Sequence, residues 1–179
     1  MSSVRGGGTA GPALILERSC DLFRDRGYAD TSMADIAAAC GLTKAGIYHH
    51  FASKEAILEG VLNQLDRDFL GPLADLGRDP GAMAAFTVSF FEHSGGCVAA
   101  QTAMETARRA DGPRRRLEAF FLRWRDLVAA ALPAAAGQTP ATRAEDWIAR
   151  VEGAVLWLKF FGDPGPLRRA GEALAGGKV

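Results

Sequence analysis

Few side chains in this 179-residue chain are arranged for chemistry. The densest group is Thr43-Lys44-Ala45-Gly46-Ile47-Tyr48-His49-His50, where hydroxyl, ammonium, phenol and imidazole groups crowd a short stretch. Such groups donate hydrogen bonds to phosphate oxygens and base edges. Adjacent residues on a helix point about 100° apart, so His49 and His50 do not converge on one metal ion. The three cysteines, at 20, 40 and 97, have neither paired spacing nor a histidine cluster beside them. A disulfide framework and a structural zinc site are therefore not expected. Cys20 and Cys40 read as small packing residues. Cys97 follows Gly95-Gly96 at the start of an expected helix, where a thiolate gains stability. A redox- or electrophile-sensing thiol and a packed one both stand open there. Arg108, Arg109, Arg114, Arg115 and Arg116 flank the turn at 110–113, near Glu118. They form either a solvated face or a seat for an anion. The sequence offers no acid–base pair, nucleophile triad or phosphate-cradling loop. No enzyme activity, cofactor or metal is expected.

The elements that must carry these residues are helices. Ala, Leu, Arg and Glu dominate, β-branched residues are sparse, and no alternating run suggests a strand. Caps and breakers divide the chain into about nine helices. They span roughly 12–26, 33–40, 44–50, 54–70, 80–94, 98–109, 113–132, 140–161 and 164–175, and Gly71-Pro72 breaks or kinks the fourth. Ser32 caps the second helix, with Asp35 completing a capping box, and Thr43 caps the third. Residues 1–11, rich in Gly, Ser and Thr, read as a disordered tail. Residues 66–179 hold all three tryptophans and eight of the ten phenylalanines. That split suggests a small helical domain at 12–65 and a larger aromatic-lined bundle at 66–179.

Met33–Phe51 reads M-A-D-I-A-A-A-C-G-L-T-K-A-G-I-Y-H-H-F: two short helices joined by a glycine turn, a helix-turn-helix. Ala37 must be small where the helices cross. Gly41 can take the positive φ that ends the first of them. Ile36, Leu42 and Ile47 are the apolar residues that would pack the pair. Residues 15–58, from I-L-E-R-S-C-D-L-F-R-D-R-G-Y to Y-H-H-F and S-K-E-A-I-L, resemble the DNA-binding domain of the TetR family of bacterial regulators. The resemblance implies an all-α fold with a three-helix DNA-binding domain followed by a ligand-binding and dimerisation bundle. It implies that Thr43, Lys44, Ala45 and Gly46 lie on the recognition helix, the first three facing bases or nearby phosphates. Tyr48 and His49 would sit against the DNA backbone, and Ser32 and Lys54 would each reach a phosphate. Residues 96–105 and the D-G-P-R-R-R-L-E-A-F-F segment resemble one small-molecule-responsive branch of that family.

The partners implied are a double-stranded, near-palindromic operator, a small-molecule effector and a second copy of the chain. Charge argues for restraint in the first of these. Residues 1–65 carry Arg5, Arg18, Arg24, Arg26, Lys44 and Lys54 against Glu17, Asp21, Asp25, Asp30, Asp35, Glu55 and Glu59. The usual basic footprint is missing, so non-specific DNA binding should be weak. The expected effector pocket is lined by Phe90, Met104, Phe121, Trp124 and Trp147, with His93, Gln101 and Thr102 as polar groups, and suits a flat, mostly apolar molecule. The same aromatics also fit a plain core. The expected dimer seam is the apolar stripe Val151, Ala154, Val155, Leu158 and Phe161. A homodimeric repressor released by its effector is the leading reading. A helical-bundle binding protein or a Cys97 thiol sensor is the alternative. The longest charge-free stretch, Leu127–Thr142, is interrupted by Pro133 and Pro140, so no bilayer span is expected. Met1–Gly11 lacks the apolar core of a secretory signal, so the cytoplasm is the expected compartment.

Overall fold

A computed structural model of the chain describes residues 11–106, 112–135 and 137–178. The tail expected at 1–11 therefore lies outside the described residues except for Gly11, as do Arg108, Arg109 and the last part of the helix expected at 98–109. Among the described residues the chain is all-α. The helices are α1 (Pro12–Arg26), α2 (Met33–Ala39), α3 (Lys44–His50), α4 (Lys54–Leu65), α5 (Gly71–Asp75), α6 (Pro80–Ser94), α7 (Val98–Thr106), α8 (Gly112–Ala131), α9 (Pro140–Phe161) and α10 (Gly165–Ala175). A π turn, Asp66–Leu70, joins α4 to α5, so Lys54–Asp75 is one helical run and the described runs number nine. The break expected at Gly71-Pro72 is absorbed there. Pro72 has no N–H, and its ring would crowd the carbonyl four residues back. The wider turn carries the chain past it, with the Gly71 N–H reaching back to the Asp66 carbonyl.

Two compact units divide between Val61 and Leu62, a few residues before the boundary expected at 65/66 and inside α4. The core of the first unit is Ile15 and Phe23 from α1, Tyr28, Ile36 from α2, Ile47 from α3, and Ile57 and Leu58 from α4, none more than 1% exposed. Local polar groups fix where its short helices begin. Asp35 N–H donates to Ser32 Oγ (3.2 Å) and Ser32 N–H to Asp35 Oδ2 (2.8 Å), which closes the capping box. Gly46 N–H donates to Thr43 Oγ1 (3.1 Å). Gly41, at φ 65°, takes the left-handed turn between α2 and α3 that a side chain would resist.

The second unit is a bundle in which α8 packs on α9, and α10 on both α6 and α9. Its centre is an aromatic cluster around Phe69 of the π turn. The Phe69 ring lies 4.7 Å from Phe90, 5.5 Å from Phe91 and 5.0 Å from Trp124. Trp147 meets Trp124 edge-on at 6.2 Å and donates its indole N–H to the Ala170 carbonyl (2.8 Å). Arg143, also buried, donates to the carbonyls of Pro133 (2.5 Å) and Gly177 (2.8 Å), which ties the α8–α9 connection to the segment after α10.

Candidate nucleic-acid interface and ligand site

The outer face of α3 is built by what its inner face uses up. Ile47 is fully buried and anchors the helix, while Thr43 caps it. Lys44, Ala45, Tyr48 and His49 are left exposed together. Tyr48 is 46% exposed, a large half-apolar side chain set into solvent. The His49 and His50 rings lie 5.3 Å apart, edge to face, both exposed. Gly46 differs from its neighbours. A Cβ there would stand 3.5 Å from Thr43 Oγ1 and 3.6 Å from the Leu42 side chain, at ordinary contact distance. The fold therefore has room for a small side chain at 46.

Two residues expected to reach phosphate are spent inside the unit. Lys54 Nζ donates to the carbonyls of Tyr28 (2.6 Å), Ala29 (3.3 Å) and Thr31 (2.7 Å), and stands 4.4 Å from the centre of the Tyr28 ring. The ammonium is a donor only, and these carbonyls are its natural acceptors. Lys54 is a tie between α4 and the α1–α2 turn. The Ser32 hydroxyl donates to Asp35 Oδ2 (2.5 Å) as well as accepting the Asp35 N–H. That hydroxyl first, and the Ser32 N–H second, hold the Asp35 carboxyl below its ordinary pKa. A phosphate at Ser32 would therefore meet a carboxylate.

The expected effector residues separate. Trp124 and Trp147 are fully buried and Phe90 is half-buried in the same aromatic cluster, where the rings fill space against each other. Met104 is 81% exposed, on the far side of α7 from the core residues Thr102 and Thr106. His93 and Gln101 are exposed, and only Thr102 faces the interior. Phe121 does line a cleft, of about 510 Å³, together with Ala103, Thr106, Arg114, Leu117, Glu118 and Leu122. Arg114 and Glu118 belong to the arginine-rich segment expected to be a solvated face or an anion seat, whereas nothing in the sequence pattern marks Ala103, Thr106, Leu117 and Leu122. The arginine run next to L-E-A-F-F was the available signal.

The expected dimer stripe faces the wrong way. Val151, Ala154 and Val155 are buried in the chain's own core and Leu158 is half-buried. Phe161 alone of the five is prominent, at 67% exposed, in company with Leu156, Trp157 and Phe160. These four recur three and four residues apart on the outer face of α9. Of the two readings left open for Cys97, its buried environment favours the packed thiol. Cys97 does sit at the start of α7, where Ala100 N–H points at its sulfur (3.4 Å). Burial nevertheless pushes its thiol well up, and the Glu152 carboxyl beside it pushes the same way. The thiolate that a sensor needs is suppressed. Glu152 is itself raised to about 7 by burial. The other two cysteines are half-buried, and burial raises the Cys40 thiol. Among the described residues no three His, Cys, Asp or Glu side chains group to hold a metal, and no helix is long and apolar enough to cross a membrane.

Residues 15–61 match the family profile described as bacterial regulatory proteins, tetR family. Residues 82–173, just over half of the chain, match that of the LmrA/YxaF-like transcriptional regulators, C-terminal domain. Among named relatives, the HTH-type transcriptional repressor KstR2 of Mycolicibacterium smegmatis is 43% identical over 56 residues, which are 31% of this chain and 25% of that protein. The HTH-type transcriptional repressor DhaR of Mycobacterium sp. (strain GP1) is 27% identical over 117 residues, 62% of this chain and 59% of DhaR. The chain thus spans less than two thirds of the length of these relatives. Among solved structures, a TetR transcriptional regulator from Legionella pneumophila superposes with a TM-score of 0.79 over 98% of both chains at 20% identity. One from Chloroflexus aurantiacus gives 0.73 over 92% of both at 26% identity.

Proposed function

The chain belongs to the TetR family of bacterial transcriptional regulators, and on that premise we propose that it is a cytoplasmic repressor that binds a near-palindromic operator as a homodimer and leaves it when a small molecule occupies the bundle. The observation that carries the DNA-binding part is the outer face of α3. Lys44, Ala45, Tyr48 and His49 are exposed side by side on the second helix of a helix-turn-helix. In this reading Thr43 and Lys44 meet bases or phosphates at the floor of the major groove, and Tyr48 and His49 rest on the backbone. With Lys54 engaged internally, Lys44 carries most of the positive charge that α3 brings to DNA. Affinity then depends less on salt than for a basic reader. Gel shifts against the DNA flanking the protein's own gene test this. Tyr48→Ala should abolish retardation while the thermal melt stays within a degree or two of wild type. Retention of full affinity by that variant would sink the reading.

The dimer surface in this proposal is the outer face of α9. Leu156, Trp157, Phe160 and Phe161 are between 46% and 75% exposed, a density of large apolar groups that monomers seldom leave in water. A two-fold seam uses each residue twice. Phe160→Glu should therefore yield monomers by analytical ultracentrifugation, with helicity by circular dichroism retained because Phe160 makes no part of the chain's own core and the melt lowered only by the loss of the partner. A wild-type dimer would place the seam elsewhere. An effector that prefers the DNA-free form must lower operator affinity by the factor that DNA lowers its own.

A further inference from the structure

The cleft between α7 and α8 has a composition that selects its occupant. Its walls are apolar apart from one ion pair: Ala103 from α7, with Leu117, Phe121 and Leu122 from α8. The hydroxyl of Thr106, the remaining α7 wall residue, is turned away and donates to the Thr102 carbonyl (2.8 Å). Polar recognition in the cleft thus falls to Arg114 and Glu118, one helical turn apart, with Nε to Oε1 at 2.8 Å. At about 510 Å³ the cleft falls within the range that small organic ligands occupy.

The ion pair is easily exchanged. Both side chains are about half exposed, and the basic residue precedes the acidic one, the weaker order for a pair four apart on a helix. An incoming charge can replace either member, and the surroundings decide which. From Asp111 to Phe121 the sequence carries Arg114, Arg115 and Arg116 against Asp111 and Glu118, a basic excess of one. Arg116 is held by Asp66 of the π turn and by Asn63 (3.1 Å). A carboxylate arriving at Arg114 releases Glu118 into water at small cost and stays inside a cationic field. An ammonium arriving at Glu118 takes that carboxylate from Arg114, with Arg115 next to it in sequence. A planar guanidinium also matches a carboxylate in shape.

We propose that this cleft binds an organic carboxylate with an apolar body, its charged end on Arg114 and its body along Leu117, Phe121 and Leu122. The proposal rests on the effector reading above only for its consequence on DNA. Isothermal titration of the full chain with decanoate and with 1-naphthylacetate, each paired with its neutral amide, and with decyltrimethylammonium, tests it below micellar concentrations. At least one carboxylate should bind once per chain, roughly tenfold tighter than its amide and than the ammonium. Arg114→Ala should cost roughly tenfold, Arg114→Lys should recover part of it, and Glu118→Gln should tighten binding. Unchanged helicity by circular dichroism certifies the variants. Absence of binding by both carboxylates, ammonium binding as tight as carboxylate, or indifference to Arg114→Ala overturns the proposal. Gel shifts separate the two readings. A carboxylate that binds through Arg114 without releasing DNA leaves the site standing and removes the effector role. Operator binding without carboxylate binding removes the site alone.

Discussion

In the N-terminal unit two buried hydroxyls bond to carbonyls four residues back: Ser19 donates to the Ile15 carbonyl and Thr31 to that of Gly27, both at 2.7 Å. In the bundle Thr87 and Thr102 are equally inaccessible, yet among the described residues neither hydroxyl has a hydrogen-bond partner. The same is true of the Trp124 indole N–H and of one oxygen of Glu152. A buried polar atom left without a partner costs about 1–3 kcal/mol. The first unit is held by short-range hydroxyl bonds together with the long-range Lys54 tie. The bundle carries polar capacity that its own packing leaves unused, alongside dense aromatic contact. In the proposed function the first unit presents a face to DNA and the bundle answers a ligand.

Lys54 gives the hardest test of the first half of that contrast. Lys54→Met removes three charge-assisted bonds and the contact with the Tyr28 ring, and should destabilise the N-terminal unit by about 3 kcal/mol. Hydrogen exchange should quicken across 15–61 and stay slow in the bundle. A variant with intact protection and only a shallower salt dependence of DNA binding would restore Lys54 to the phosphate role and blur the contrast.

Glu152 tests the second half. Its folded pKa of about 7 stands above the ordinary 4.5, so the folded chain holds this proton more tightly than the unfolded chain. That stability is fully present below pH 4.5 and is lost as pH rises through 7. The side chain keeps some exposure, so the loss should be about 2 kcal/mol rather than the full linkage value. Glu152→Gln should flatten the profile between pH 5 and 8 in urea melts. An unchanged slope would show that the carboxyl is solvated.

The smallest effects carry opposite signs. Thr31→Val deletes a made hydrogen bond and should cost about 1 kcal/mol, whereas Thr87→Val deletes an unmade one and should gain about as much. Equal signs in paired melts would abolish the distinction between the units.

The sequence made the first unit readable because its polar residues act on near neighbours. Ser32 with Asp35, and Thr43 with Gly46, are bonds across three residues, and the Gly41 turn is local too. The internal tie of Lys54 was not legible because its carbonyl partners lie more than twenty residues away, a distance that no local pattern encodes. In the bundle the difficulty is that α9 is apolar on two faces. Val151, Ala154 and Val155 form one, and Leu156, Trp157, Phe160 and Phe161 the other. Periodicity finds both and does not say which of them turns inward. The Gly71-Pro72 dipeptide announced an irregularity, but a break and a π turn answer it equally well at the level of sequence.

The placement of the three tryptophans gives the chain an optical label of its own. Trp124 and Trp147 are sealed, and Trp157 is 46% exposed on the outer face of α9. Two indoles therefore emit from an apolar medium, out of reach of acrylamide, while the third meets the solvent at the face assigned to the seam. Emission at the red edge, and the fraction that acrylamide quenches, follow Trp157. If α9 does pair with its twin, diluting the protein should move the spectrum to longer wavelength without any dye attached. Trp157→Phe should abolish that shift while leaving the two shielded emitters as an internal standard.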